Sequence, residues 1–85
     1  MNVGEVRNLA GKLDQQASQI NDNLIAQINS ILGNLEANWQ GGDFVKFKGW
    51  WETEHRPRLQ KLAQDIAGLA QSARNNADEQ ENVSK

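Results

Sequence analysis

Cysteine and tyrosine are absent from the 85 residues of the chain, and proline and histidine occur once each. Without cysteine the chain has no disulfide framework, no thiol nucleophile and no cysteine-based zinc site, so its fold rests on packing alone. Aromatic residues make up only 6% of the sequence, and a domain of this size buries only about 60% of the surface that its unfolded chain exposes. We therefore expect the chain to be stabilised by association rather than to stand as a lone monomer.

Excess charge and long apolar runs are also missing. The net charge is −2, and the cationic residues form no one-sided stripe, which argues against nucleic-acid binding. No signal-peptide pattern opens the chain and no apolar run approaches the ~18 residues of a membrane span, so we expect neither Sec-type export nor stable membrane insertion. Amide side chains are abundant instead, and they make a surface soluble without mutual repulsion.

Apolar residues recur along the first half of the chain from Val3 to Trp39, with a mean step of about 3.6 residues. This period predicts an amphipathic helix over residues 3–39. Asn2 is placed to cap its start, and Gly41-Gly42 supply a signal that ends it.

A second apolar row follows Asp43, which is placed to cap another helix. The row predicts a helix over about 44–80, after a turn at 40–43. Two helices of equal length joined by a short turn form an antiparallel hairpin. We therefore expect an all-α single domain over residues 1–80, followed by a flexible C-terminal tail at 81–85.

Pro57 lies inside the second predicted helix, where proline removes one backbone hydrogen bond and its ring clashes with the preceding turn. We expect a kink or a break there. The alternative is that residues 43–55 form a separate short helix and that Pro57 opens the next one.

The apolar stripe of the first helix is wider than one neighbouring helix covers, because Ile25, Ile31 and Leu32 extend it to about 160°. A lone hairpin leaves that flank exposed to water. Two hairpins that bury these flanks against each other form a four-helix bundle. The sequence therefore predicts a dimer with these three residues at its interface.

Three tryptophans cluster around the predicted turn. Trp39 and Trp51 fall on the apolar faces of their helices, which predicts that both belong to the hairpin core. Trp50 lies about 100° from Trp51 around the helix, on the flank of the stripe. A large aromatic there either packs at the rim or contacts a partner, and the pattern leaves both readings open.

His55 follows Glu52 by three positions on the same helix face, a spacing that metal sites use. Two ligands are too few for a metal, and His55 lies in the apolar stripe, so we interpret it as an interface or core histidine. No phosphate-binding glycine loop and no nucleophile–base pair accompanies it. The sequence predicts neither a catalytic site nor a metal or other cofactor, and hence no enzyme.

Trp39-Gln40-Gly41 stands in a tight turn between two amphipathic helices of matched length. In this position the tripeptide resembles the turn of the WXG family, the ESAT-like proteins of type VII secretion, and the resemblance covers nearly the whole chain. Trp50-Trp51 and the segment from Arg56 to Leu59 are similar to that family's continuation after its turn.

The resemblance implies a helical hairpin that pairs with itself or with a paralogous WXG partner. It further implies that the dimer folds in the cytoplasm and is then secreted, still folded, by a non-Sec route driven by a membrane ATPase. In the family, the Trp-x-Gly turn of one subunit lies near a C-terminal Tyr-x-x-x-Asp/Glu motif of its partner, and the two form a composite export signal. Trp39 and Gly41 match the first half of that signal.

The second half departs from the family pattern, because Ala77 stands where the tyrosine is expected and Glu81 follows as the acidic member. We interpret the pair as a remnant of the C-terminal signal, which favours a subunit that is exported together with a tyrosine-bearing partner. A non-secreted helical oligomerisation module is the alternative. It predicts the same dimer, so the fold does not separate the two functions.

Overall fold

The chain folds into the all-α antiparallel hairpin that its apolar periodicity predicts. A computed structural model describes residues 1–39 and 41–84, without the side chain of Ser84. We call the helical segment 3–38 the first arm and the segment 42–84 the second arm. The elements are α1 (Val3–Gln19), a π-helical turn (Ile20–Ile25), α2 (Ala26–Asn38), α3 (Gly42–Trp50), a second π-helical turn (Trp51–His55) and α4 (Arg56–Ser84).

The first arm begins and ends close to where its sequence signals lie. The Asn2 side chain accepts a hydrogen bond of 2.9 Å from the Glu5 amide through Oδ1, as an N-cap does. At the other end the helix stops at Asn38, one residue before the predicted end. Trp39 has extended backbone angles of φ −151° and ψ 119°. The predicted turn at 40–43 includes Gln40, which lies outside the described residues.

The contact between the arms changes character along the hairpin. Near the termini the buried side chains are five alanines, and α1 and α4 make most of the close contacts between the arms there. Near the turn the buried side chains are large. The alanines are Ala10, Ala17, Ala63, Ala70 and Ala77, and the large side chains are Ile25, Leu32, Phe44 and Trp51. Alanine permits the backbones to approach, so we call the row of five the alanine seam.

A π-helical turn in the first arm shifts its buried row by one residue. Buried positions repeat every seven residues from Ala10 to Ala17 and from Ile25 to Leu32, but eight residues separate Ala17 from Ile25. The π-helical turn lies between them and takes up the extra residue, because its hydrogen bonds span five residues instead of four. The mean period of about 3.6 concealed this shift, since it averages two heptad segments and one insertion.

Pro57 neither breaks the second arm nor opens a separate helix, since described residues 42–84 are helical throughout. The second π-helical turn ends two residues before it, and the Arg56 amide donates to the Trp51 carbonyl, five residues back. In an α-helix the proline ring would meet the carbonyl of Thr53. The wider turn lies at the place where that clash would occur, which accounts for the unbroken helix.

The second arm extends four residues beyond the predicted end at residue 80, so residues 81–84 are helical rather than a tail. Lys85 lies outside the described residues. Arg7 of the first arm donates to Asp78 at 2.7 Å and to Glu81 at 2.6 Å. These hydrogen bonds, first to Asp78 and then to Glu81, raise the pKa of Arg7. They fasten the last turns of α4 to α1, which the sequence pattern did not indicate.

Among the helices of the described residues, none combines the length and the apolar character that crossing a membrane requires.

The alanine seam predicts that a bigger side chain at one of its positions strongly lowers the free energy of unfolding. Ala70 is fully buried, so Ala70→Leu forces the arms apart and should lower the free energy of unfolding by about 1–3 kcal/mol. Ala26→Leu, at an exposed helical position, is the matched control. Urea unfolding followed by circular dichroism at equal protein concentrations measures both, and equal midpoints would contradict close packing at the seam.

Candidate functional site

Trp39 and Gly41 are in direct contact at the tip of the hairpin. A Cβ atom placed on Gly41 would lie 2.9 Å from Nε1 of the Trp39 ring and 3.2 and 3.3 Å from two of its carbons. The indole therefore covers the glycine so closely that no larger residue fits without moving the ring. This contact is a physical reason for a tryptophan and a glycine to stand two residues apart in the Trp-x-Gly motif. Its middle residue, Gln40, lies outside the described residues.

The Trp39 ring is not part of the hairpin core, so the prediction of a core position is wrong. Its exposed fraction is 51%, and it rests against Phe44 with the ring centroids 6.0 Å apart and a tilt of 53°. The prediction failed because the helix has already ended, and the helical register does not apply to an extended residue. Trp39 therefore presents a large apolar surface at the tip.

Trp51 occupies the core position that its register predicts. It is 4% exposed and packs with Phe44 and Leu32 in the buried cluster. Its Nε1–H donates to Oδ1 of Asn29 at 2.7 Å, which satisfies the one polar atom of the ring and links the arms. No sequence pattern pointed to Asn29, because a single asparagine on a helix flank has no distinctive spacing.

Trp50 and His55 both lie at the surface near the tip. Lys46 places its Nζ 5.0 Å from the centroid of the Trp50 ring, in a cation–π contact. His55 is exposed and stacks on Phe47 with the centroids 6.4 Å apart, so the core reading of this histidine is wrong. The described residues contain no group of three or more potential metal ligands. An interface role for Trp50 and His55 stays a prediction.

One side of the hairpin carries polar links between the arms. Arg7 binds Asp78 and Glu81, Asp14 accepts from Arg74, Asn29 accepts from Trp51, and Glu36 accepts from Lys48 at 2.5 Å. The hydrogen bond with Glu36 is the main cause of the raised pKa of Lys48. The four positions of the first arm share one register beside the buried row, so the links occupy a single face, the polar face.

The opposite face of the hairpin is apolar and open to solvent. By helical register its side chains project from the other flank of each arm. They are Leu9, Leu24, Ile31 and Leu35 from the first arm and Phe47, Leu62 and Leu69 from the second, all at least 40% exposed. We call this surface the apolar face. A hairpin 64 Å long and 18 Å wide thus leaves one broad side without apolar partners.

The apolar face corrects the interface predicted from the width of the stripe. Ile31 lies on it and is 56% exposed, as an interface residue should be. Ile25 and Leu32 are only 5% and 7% exposed, and they pack on Phe44 and Trp51 within the hairpin. The prediction misplaced these two because the wheel assumed an unbroken α-helix, whereas the π-helical turn rotates the residues that follow it.

The model of the WXG100 family, described as proteins of 100 residues with WXG, matches residues 1–83. The chain belongs to the WXG100 family. No curated protein and no solved structure matches it at a significant level. As a WXG100 member the chain is an ESAT-like small protein of the type VII secretion class.

Within this WXG100 hairpin, the positions proposed as the remnant of a C-terminal signal are engaged inside the molecule. Ala77 is fully buried in the alanine seam, and Glu81 accepts from Arg7. A tyrosine at position 77 would require α1 and α4 to separate, since no space exists for its ring. These two residues therefore hold the arms of the hairpin together. Because it is fully buried, Ala77 offers no surface for recognition.

The contact between Trp39 and Gly41 predicts that a larger residue at position 41 destabilises the fold only while the Trp39 ring is present. Gly41→Ala should displace the indole from Phe44, shift the Trp39 indole N–H resonance in an NMR spectrum and destabilise the fold by about 1–3 kcal/mol, as overpacking does. Gly42→Ala is the control, because a Cβ there meets nothing within 4 Å. In a Trp39→Ala background the Gly41→Ala penalty should vanish, and an unchanged penalty would mean that the ring is not its cause.

Proposed function

We propose that this WXG100 protein is exported folded, as a dimer, by the ATPase-driven membrane machinery of a type VII secretion system. It acts there as a secreted substrate or as a co-secreted partner. The observation that carries the proposal is the exposed Trp39 ring, which Gly41 seats at the tip of the hairpin. A buried tryptophan serves packing, whereas an exposed one at a fixed place is available to be recognised.

The apolar face supports the dimer. Exposed apolar patches of this extent on a small protein mark sites of association. A standard interface takes about 800 Å² from each partner, and one broad side of the hairpin is large enough to supply it. Two hairpins joined by their apolar faces would form a four-helix bundle with both polar faces outward.

The buried Ala77 supports dependence on a partner for export. A subunit that lacks the tyrosine of the family's C-terminal motif, and that has no space for one, needs that half of the signal from elsewhere. The partner would be a paralogous WXG protein, or a second copy of this chain whose other features suffice for recognition by the export machinery. The route would be non-Sec secretion after folding in the cytoplasm.

A non-secreted helical oligomerisation module is the second candidate. The apolar face favours it equally, because both functions need a dimer. The two differ in what they require of Trp39. A structural turn needs only a ring that packs on Phe44, whereas a recognised turn needs the indole itself.

Substituting the ring while keeping its packing separates the two candidates. We expect Trp39→Phe to fold and dimerise, yet to reduce the secreted fraction about tenfold or more, because buried tryptophan contacts dominate binding. Trp50→Phe makes the same change at another exposed tryptophan and should be secreted normally. Immunoblots of culture supernatant and cell pellet give the readout. Normal folding together with normal secretion of Trp39→Phe would contradict recognition of the indole, whereas an unaltered chain that stays in the cell pellet would favour the non-secreted module.

Substitutions near the C-terminus of α4 test whether the partner carries the C-terminal half of the export signal. Glu81→Ala and Asp78→Ala each remove one acceptor of Arg7, so they should weaken the hairpin similarly. We expect both variants to be secreted like the unaltered chain when a tyrosine-bearing WXG partner is co-expressed. A selective loss of secretion for Glu81→Ala would show that this chain contributes the acidic half of the signal itself.

A further inference from the structure

A cleft opens near the tip of the hairpin, on the side of the polar face. Its volume is about 520 Å³, within the roughly 300–1,000 Å³ that ligand sites occupy. Lys48 and Glu36 both line it, and they form the polar link between the arms that lies nearest the tip. The cleft is therefore separate from the apolar face, and a partner docked on that face would leave it accessible.

Three of the seven glycines of the chain line this cleft, namely Gly41, Gly42 and Gly49. The Trp39 ring covers Gly41, but a Cβ atom on Gly42 or Gly49 would meet nothing within 4 Å. Gly49 lies inside the helical second arm, where glycine is less favourable than alanine. Without side chains at these positions, the backbone is open to close approach by a group from outside.

The charges that line the cleft do not balance. Lys48 donates to Glu36 at 2.5 Å, and Glu52 adds a second carboxylate. The pKa of Lys48 is raised mainly by its hydrogen bond with Glu36, and the charge of Glu52 raises it further without a hydrogen bond. Among residues 1–39 and 41–84, no side chain hydrogen-bonds the Glu52 carboxylate. The cleft thus carries one excess negative charge, with carboxylate oxygens available as acceptors.

Apolar side chains stand beside this carboxylate. Val45 is 67% exposed and lines the cleft together with the buried Phe44. Arginine matches such a lining, because its methylene stem packs on apolar surface while its guanidinium donates two parallel hydrogen bonds to one carboxylate. Lysine lacks this fork, and its ammonium group is more strongly hydrated.

We propose that the cleft binds an arginine side chain of a partner protein, with the guanidinium on Glu52 and the methylene stem against Val45. Gly42 and Gly49 leave room for the main chain that carries the arginine. The cleft is open to solvent, so the arginine can enter while it remains attached to a protein surface. This contact is additional to the exposed Trp39 ring and to the apolar face, and it does not depend on export.

A blocked tripeptide, acetyl-Ala-Arg-Ala-amide, tests the site by NMR. Its binding should shift the amide resonances of Gly41, Gly42 and Gly49 in a saturable way, and it should leave those of Gly11 and Gly68 unchanged because they lie outside the cleft. The same peptide with citrulline keeps the shape without the charge and should not bind. Equal shifts with both peptides, or no saturation below about 10 mM, would overturn the proposal.

Removing the charge of Glu52 tests the carboxylate. Glu52→Gln should weaken binding of the arginine peptide about tenfold or more, because the charged partner of the guanidinium is lost. Glu54→Gln makes the same change at an exposed position outside the lining and is the matched control. Equal affinities of these two variants would overturn Glu52 as the binding group.

Filling the cleft tests its location. Gly49→Leu places a side chain in the cleft and should abolish the peptide-induced shifts of Gly41 and Gly42. Gly33→Leu is the control, since a Cβ atom there also meets nothing within 4 Å but the residue lies outside the cleft. Leucine favours a helix over glycine, so both variants should fold, as circular dichroism verifies. Unchanged binding to Gly49→Leu would contradict the site.

The opposite charge is the last arm of the experiment. A blocked Ala-Glu-Ala peptide that shifted the same glycines more strongly than the arginine peptide would mean that Lys48 binds an anion, and it would overturn the proposal. All of these measurements use the purified chain. Their failure would leave the secretion of the protein and the role of Trp39 untouched, so it is distinguishable from failure of the proposed function.

Discussion

The close approach of α1 and α4 along the alanine seam is the constraint on which the rest of the hairpin depends. A chain with few aromatics has little apolar volume to bury, and no disulfide supports its fold. Alanine lets two helices pack closely although its side chain has little volume. The large side chains are then concentrated near the turn, where Phe44 and Trp51 fill the space between the arms. The close approach of the helices along the alanine seam and the packed cluster near the turn together fix the register of the two arms.

That register divides the surface into two unlike faces. Polar groups on one flank of the seam link the arms to each other, from Arg7 near the termini to Lys48 near the tip. Exposed ion pairs of this kind contribute little stability individually, but they commit one face to the hairpin's own structure. The apolar side chains of the other face stay exposed among residues 1–39 and 41–84. The polar links between the arms and the exposed apolar side chains thus lie on opposite sides of the hairpin.

The fold could be predicted from the sequence because it depends on periodicity, caps and a glycine turn, all of which are local. The family could be recognised for the same reason, since Trp39 and Gly41 stand at the midpoint of two matched helices. Burial was harder to predict. Ile25 and Leu32 were assigned to the wrong surface because a π-helical turn leaves no mark in the composition, and Trp39 because the helix ends one residue before it. The ion pairs of Arg7 were not predicted, since they join residues more than seventy positions apart.

The two π-helical turns let each arm carry an additional residue without losing its buried row. Each arm carries one such turn, and Ile25 of the first and Trp51 of the second share the buried cluster. An extra residue in an unbroken α-helix would rotate everything beyond it by about 100°, whereas a π-helical turn takes up that residue and leaves the buried row on the seam. We therefore expect an alignment of related chains to place single-residue gaps at these two turns, inside the helices rather than in the loop.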